Sequence, residues 1–170
     1  MKKTKYFVDL SIRYLLLIIF GLMLQVFYLV FTPLTLILLE KTLSLFFEIY
    51  LAGNTIYSSK TIQIIPACIG GSAYYLLLIL NLTTPKIKLK KRILSILFMF
   101  ILFFIFNFLR LFFLISLELN GFNTYFYHKI LWYFGSTIFV FLIWILNIKV
   151  FKVKEIPVVS DIKQIMKLTK

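Results

Sequence analysis

The chain is 170 residues long, 62% apolar and 19% aromatic, with a mean hydropathy of +0.99, which excludes an ordinary soluble domain and predicts a multi-pass membrane protein. Its 19 basic and 6 acidic residues give a net charge of +13, yet the bases flank apolar runs instead of lining one face, so nucleic acid is excluded as a partner. One cysteine excludes an intrachain disulfide, one histidine excludes most metal sites, and no cofactor is expected.

Lys2, Lys3, Lys5 and Arg13 lead into an apolar run of eighteen residues, 14–31, which as a helix covers about 27 Å and spans the hydrocarbon core. Bulky residues follow it where a cleaved leader carries a small-x-small site, so it reads as an uncleaved first span. Thr32-Pro33 has the form of a cap followed by proline at the first helical position, which restarts or kinks the helix. Over 34–51, Glu40, Ser44 and Glu48 recur every four residues, predicting an amphipathic helix on the outer surface, with a spanning helix carrying a polar seam as the alternative. An outer loop over 52–67 follows; Ile62 and Ile64 alternate with Thr61 and Gln63, and Ser58-Ser59 has turn character, so a short extramembrane β-like hairpin is expected there.

The second span is placed near 68–84, short and interrupted by Gly70-Gly71. The densest basic run, Lys86 to Arg92, separates it from a third span near 93–117 that carries Asn107 and Arg110. Asn120-Gly121 marks a turn, and a fourth span is placed near 128–148. The expected fold is thus all-α, a polytopic helical bundle of about four transmembrane helices. Residues 1–155 form one integral membrane domain, and 156–170 a mobile cytoplasmic tail.

Fifteen of the nineteen bases fall in the N-terminal arm, the central loop and the tail, and four spans put all three on one side. The positive-inside rule makes that side cytoplasmic, in a plasma-membrane protein with both termini inside. Cys68, Arg110 and His128 then fall toward the outer face. Arg110 is eighteen positions after Arg92, a helical rise of about 27 Å.

Each of the three residues has an ordinary role open to it. Cys68 would serve as a small apolar filler, Arg110 would snorkel to outer headgroups, and His128 would join an interfacial aromatic belt with Tyr125, Tyr127, Trp132 and Tyr133. Together at one depth they also match acyl-transfer chemistry. Anionic sulfur is favoured at helix N-termini and beside cations, imidazole suits proton transfer, and guanidinium supplies fixed donors to an oxyanion. Gly70 and Gly71 would let a substrate backbone approach the sulfur, and 70–73 would offer a lipid-facing stripe for a substrate helix. Asn107, one turn before Arg110, would orient the guanidinium.

Three motifs in order, Ala67-Cys68-Ile69-Gly70, then Asn107-Phe108-Leu109-Arg110-Leu111, then His128, resemble those of the archaeosortase/exosortase family of membrane transpeptidases. The likeness covers most of residues 45–141, in a compact version that departs from the family at Ile69, where serine is frequent. The resemblance implies Cys68 as nucleophile, Arg110 as oxyanion and substrate stabiliser, and His128 as acid/base, with Asn107 and Gly70 in support. It also implies substrates that are secreted or surface proteins ending in a motif, an apolar helix and a basic cluster. Cleavage would pass through a thioester to an acceptor, or to water in a simple hydrolase. The alternative from another class is a non-enzymatic membrane module, a transporter subunit or assembly factor, in which Arg110 grips an anionic lipid or a partner helix.

Overall fold

The structure, a computed structural model, describes residues 2–131 and 136–169. They form eight helices and one small sheet. The helices are α1 (Lys2–Leu22), α2 (Gln25–Leu43), α3 (Pro66–Ile69), α4 (Gly71–Leu82), α5 (Leu89–Leu119), α6 (Tyr125–Ile130), α7 (Ser136–Val150) and α8 (Val159–Thr169). Between α2 and α3 lie β1 (Tyr50–Ala52), β2 (Thr55–Tyr57) and β3 (Thr61–Gln63), an antiparallel meander in the order β1-β2-β3. Among the described residues two helices, α2 and α5, are long and apolar enough to cross a membrane; α4 and most of α7 are shorter apolar helices.

The first apolar run is not one helix. The structure breaks it after Leu22 and carries the next helix through Pro33, where a restart or a kink was expected, so the restart does not occur there. Just before the break the Tyr75 hydroxyl donates to the Leu17 carbonyl (2.9 Å), and a β carbon on Gly21 would lie 2.6 Å from that hydroxyl, so the glycine admits the ring against α1. The Met23 amide still donates to the Ile19 carbonyl (3.0 Å), and the chain then tightens into a turn, with the Val26 amide on the Met23 carbonyl (2.9 Å). The amphipathic helix expected over 34–51 is corrected as well. Its first part is the end of α2, the chain turns after Leu43, and residues 50–52 pair with β2.

The hairpin expected in the outer loop is present as β2 and β3, with Ile56 opposite Ile62. β1 adds a third strand that the continuous apolar sequence concealed. The second apolar run splits at Gly70, whose φ of 74° ends α3 and opens α4. The third is one helix of 31 residues, about 46 Å long. The span expected near 128–148 includes residues 132–135, which lie outside the described residues, as do Trp132 and Tyr133 of the expected aromatic belt.

Two apolar clusters stack along the bundle. One packs Phe27, Tyr74, Leu77, Phe103 and Ile143 between α2, α4, α5 and α7. The other joins Leu39 and Leu43 of α2 to Ile56, Cys68, Ile69 and Leu111. Inside the bundle, Asn81 Nδ2 donates to Ser95 Oγ (2.7 Å), which donates to Asn147 Oδ1 (2.7 Å), linking α4, α5 and α7.

The tail expected to be mobile is a docked helix. Asp161 of α8 is buried and takes two bonds from the buried guanidinium of Arg13 (2.9 and 3.0 Å), while Tyr6 donates to the same carboxylate (2.8 Å). A charged residue placed in an apolar setting needs such a partner, and Arg13 has also the Leu82 carbonyl (2.8 Å) and Asp9 (3.0 Å).

Candidate active site

The site begins with the short helix α3. Pro66 presets its first turn, the Cys68 amide donates to the Ile65 carbonyl (2.9 Å), and Gly70 turns the chain by its positive φ. Cys68 therefore sits on a separate turn ahead of α4, and does not open a continuous span as expected. Gly70 and Gly71 are buried, which corrects their placement as lipid-facing positions. A β carbon on Gly70 would lie 3.1 Å from the Phe103 ring and one on Gly71 2.6 Å from the Tyr28 ring, so both exist to let aromatic rings close on the chain.

From α5, Asn107 and Arg110 lie three residues apart on one face, and both are buried. Asn107 Nδ2 donates to the carbonyls of Cys68 (2.9 Å) and Ile69 (3.2 Å), and Arg110 Nη2 donates to the Cys68 carbonyl (3.1 Å). The two side chains meet on the backbone of Cys68. Asn107 is thus a positioning residue for the cysteine turn, in place of the guanidinium-orienting role expected of it. An α3 carbonyl in this apolar cluster has lost water, and these donors replace it.

A cavity of about 350 Å³ opens beside the turn, lined by Cys68, by residues 60–65, by Leu111, Leu114, Ile115 and Glu118 of α5, and by Thr124 and His128. Cysteine and histidine thus face one space. Cys68 is 8% exposed, with its turn bonded to Asn107 and Arg110, whereas His128 lies on the exposed helix α6. The His128 amide donates to the Thr124 carbonyl (2.8 Å).

Lys60 and Glu118 form an ion pair (2.6 Å) at this cavity, and the Thr124 hydroxyl donates to the same carboxylate. Neither Lys60 nor Thr124 was singled out from the sequence. A signal for Lys60 exists: it is one of four bases outside the N-terminal arm, the central loop and the tail. Tyr57 lines a different surface depression with Phe46 and Tyr50.

At the opposite end Arg92 is buried and Lys86 exposed. Arg92 donates to the carbonyls of Asn81 (2.5 Å) and Thr84 (2.9 Å), so it holds the end of α4. Lys86 pairs with Glu155 (2.8 Å), and that bond holds the Glu155 carboxyl below the usual carboxylate range. No group of three or more metal-ligating side chains occurs among the described residues. Comparison with protein-family models, with curated proteins and with solved structures finds no match.

Proposed function

We propose that the chain is a multi-pass membrane cysteine peptidase or transpeptidase whose reactive face lies on the outer side of the plasma membrane. The observation that carries this reading is the shared cavity of Cys68 and His128; Arg110 does not line that cavity but is bonded to the Cys68 carbonyl behind it. The motif resemblance adds the same three residues in the same roles. Four crossings complete the reading: α2, in place of the span expected over 14–31, then α4, α5 and α7 over the spans expected near 68–84, 93–117 and 128–148. Support for it comes from the two ends of the bundle: Arg13, Leu82, Arg92 and Asp161 cluster at the basic end, and Cys68, Asn107 and Arg110 lie about 27 Å away along α5.

In this mechanism the Cys68 sulfur attacks the carbonyl carbon of the scissile peptide, and the carbonyl electron pair moves to oxygen. Arg110 stabilises that oxyanion, and His128 gives a proton to the departing amine as the C–N bond breaks. A thioester remains. An acceptor amine, or water, then loses a proton to His128 and attacks the thioester, releasing the thiolate and the new acyl product. The substrate class is a secreted or surface protein with a C-terminal motif, apolar helix and basic cluster. Its helix would lie in the membrane with the motif level with Cys68.

The test is co-expression with such a secreted protein. The wild-type chain is expected to remove the C-terminal helix, and a Cys68→Ala chain to accumulate the uncleaved form; unchanged processing by Cys68→Ala overturns the proposal. A second reading, a non-enzymatic membrane module, draws on the burial of Cys68 in an apolar cluster and on Arg110 spending a donor on backbone. External alkylation separates the two: rapid reaction of Cys68 with a small reagent supports the enzyme, and an inert thiol supports the module.

A further inference from the structure

The edge of the sheet has backbone groups arranged to receive another strand. The Ser58 amide donates to the Lys60 carbonyl (3.1 Å) and the Ile64 amide to the Asn54 carbonyl (2.8 Å). Lys60, Ile62 and Ile64 therefore direct their backbone groups to β2, and the alternation of an antiparallel ladder directs those of Thr61 and Gln63 to the other side. β3 is the last strand in the order β1-β2-β3, and among the described residues no strand covers that side. An edge with unpaired donors and acceptors is a template for an extended chain.

This edge adjoins the reactive cysteine. Residues 60–65 line the cavity as a continuous run, Cys68 lines it three residues further on, and Leu111 and Leu114 form an apolar wall opposite. The Lys60–Glu118 pair marks the end remote from Cys68. A strand added to β3 would thus lie between sheet and α5, its backbone fixed by Thr61 and Gln63, with alternate side chains toward the apolar wall.

We propose that the outer edge of β3 docks an extended segment of the substrate protein as a fourth strand and delivers its scissile bond to Cys68. This rests on the peptidase reading above. Recognition by main-chain bonds holds the peptide extended and leaves selectivity to the side chains that meet Leu111, Leu114 and the Lys60–Glu118 pair.

The probe is a secreted protein of the same genome whose C-terminus carries the motif, apolar helix and basic cluster, co-expressed in membranes with the full chain. Single cysteines are placed along the segment preceding its apolar helix and tested for disulfide formation with Gln63→Cys in a Cys68→Ala chain. The expected result is cross-linking at every second position, the period of a strand, and its register reads the direction of the added strand. Separately, Gln63→Pro removes the outward donor but none of the bonds to β2. It is expected to lower kcat/KM about tenfold, mainly through KM, and an unchanged KM overturns main-chain docking at this edge. Cleavage by the wild-type chain without a two-residue period overturns strand docking and leaves the peptidase reading standing. A two-residue period without cleavage supports docking and overturns the peptidase reading. Absence of both overturns both.

Discussion

Arg13 and Asp161 form a buried two-point ion pair across 148 residues of sequence, with Nη2 2.9 Å from Oδ1 and Nη1 3.0 Å from Oδ2. Both side chains are nearly inaccessible, at 3% and 2% exposure. Removing one partner strands a charge, so Asp161→Ala is expected to cost about 3 kcal/mol and to release α8. Thermal unfolding in detergent reads the first effect and proteolysis after Val159 the second. Arg13→Lys is expected to give much of the same loss, because an ammonium cannot make the paired bonds.

Asn107 supports the cysteine turn through two carbonyls, and Asn107→Ala leaves the Ile69 carbonyl without that donor. The expected loss is about 1–3 kcal/mol in stability. On the proposed function, activity falls further than stability, because the thiol is no longer held at the cavity; kcat measured well below the melting temperature checks this.

Gly70 combines a φ of 74° with a ring 3.1 Å from where a β carbon would stand. Gly70→Ala is expected to destabilise by about 1–3 kcal/mol, through the left-handed backbone and overpacking against Phe103 together. A paired Phe103→Leu substitution should recover part of the overpacking loss and none of the backbone loss, a difference visible in a double-mutant cycle.

The Lys86–Glu155 bond predicts a small acid sensitivity at the junction of α7 and α8. Glu155 titrates lower in the folded chain because it accepts a bond from Lys86, so the stabilisation is complete above the ordinary glutamate range and is lost as pH falls through the depressed folded value. With Lys86 56% exposed the effect is under about 1 kcal/mol and weakens with salt. Glu155→Gln should abolish this pH dependence, as read by unfolding curves across the acid range.

Labelling tests the four-span topology. In a Cys68→Ala background, Ser59→Cys in the β2–β3 turn is expected to react with an impermeant maleimide in intact cells, and Lys163→Cys on α8 only after permeabilisation. Labelling of both from outside overturns the topology.

Much of the helical layout was legible in the sequence because apolar runs report their own length: 93–117 lies wholly inside Leu89–Leu119. The β2–β3 hairpin was legible from its alternation and its Ser58-Ser59 turn. What was not legible depended on partners far away in sequence. No residue within 14–31 announces the break after Leu22, and the close approach of Tyr75 to Gly21 beside it belongs to the fold. Asp161 read as one charge in a polar tail, since nothing local shows that Arg13 receives it. At the candidate site, the sequence offered the residue types, whereas the joint grip of Asn107 and Arg110 on one carbonyl required the fold.

The docking of α8 also closes the chain on itself. Arg13 lies in the first helix and its two-point carboxylate partner in α8, so the pair ties together elements separated by α2 to α7. Asp9, four residues before Arg13, is exposed and accepts one bond, whereas Asp161 is buried and accepts two. A chain cut before residue 161 therefore keeps the local pair and loses the buried one.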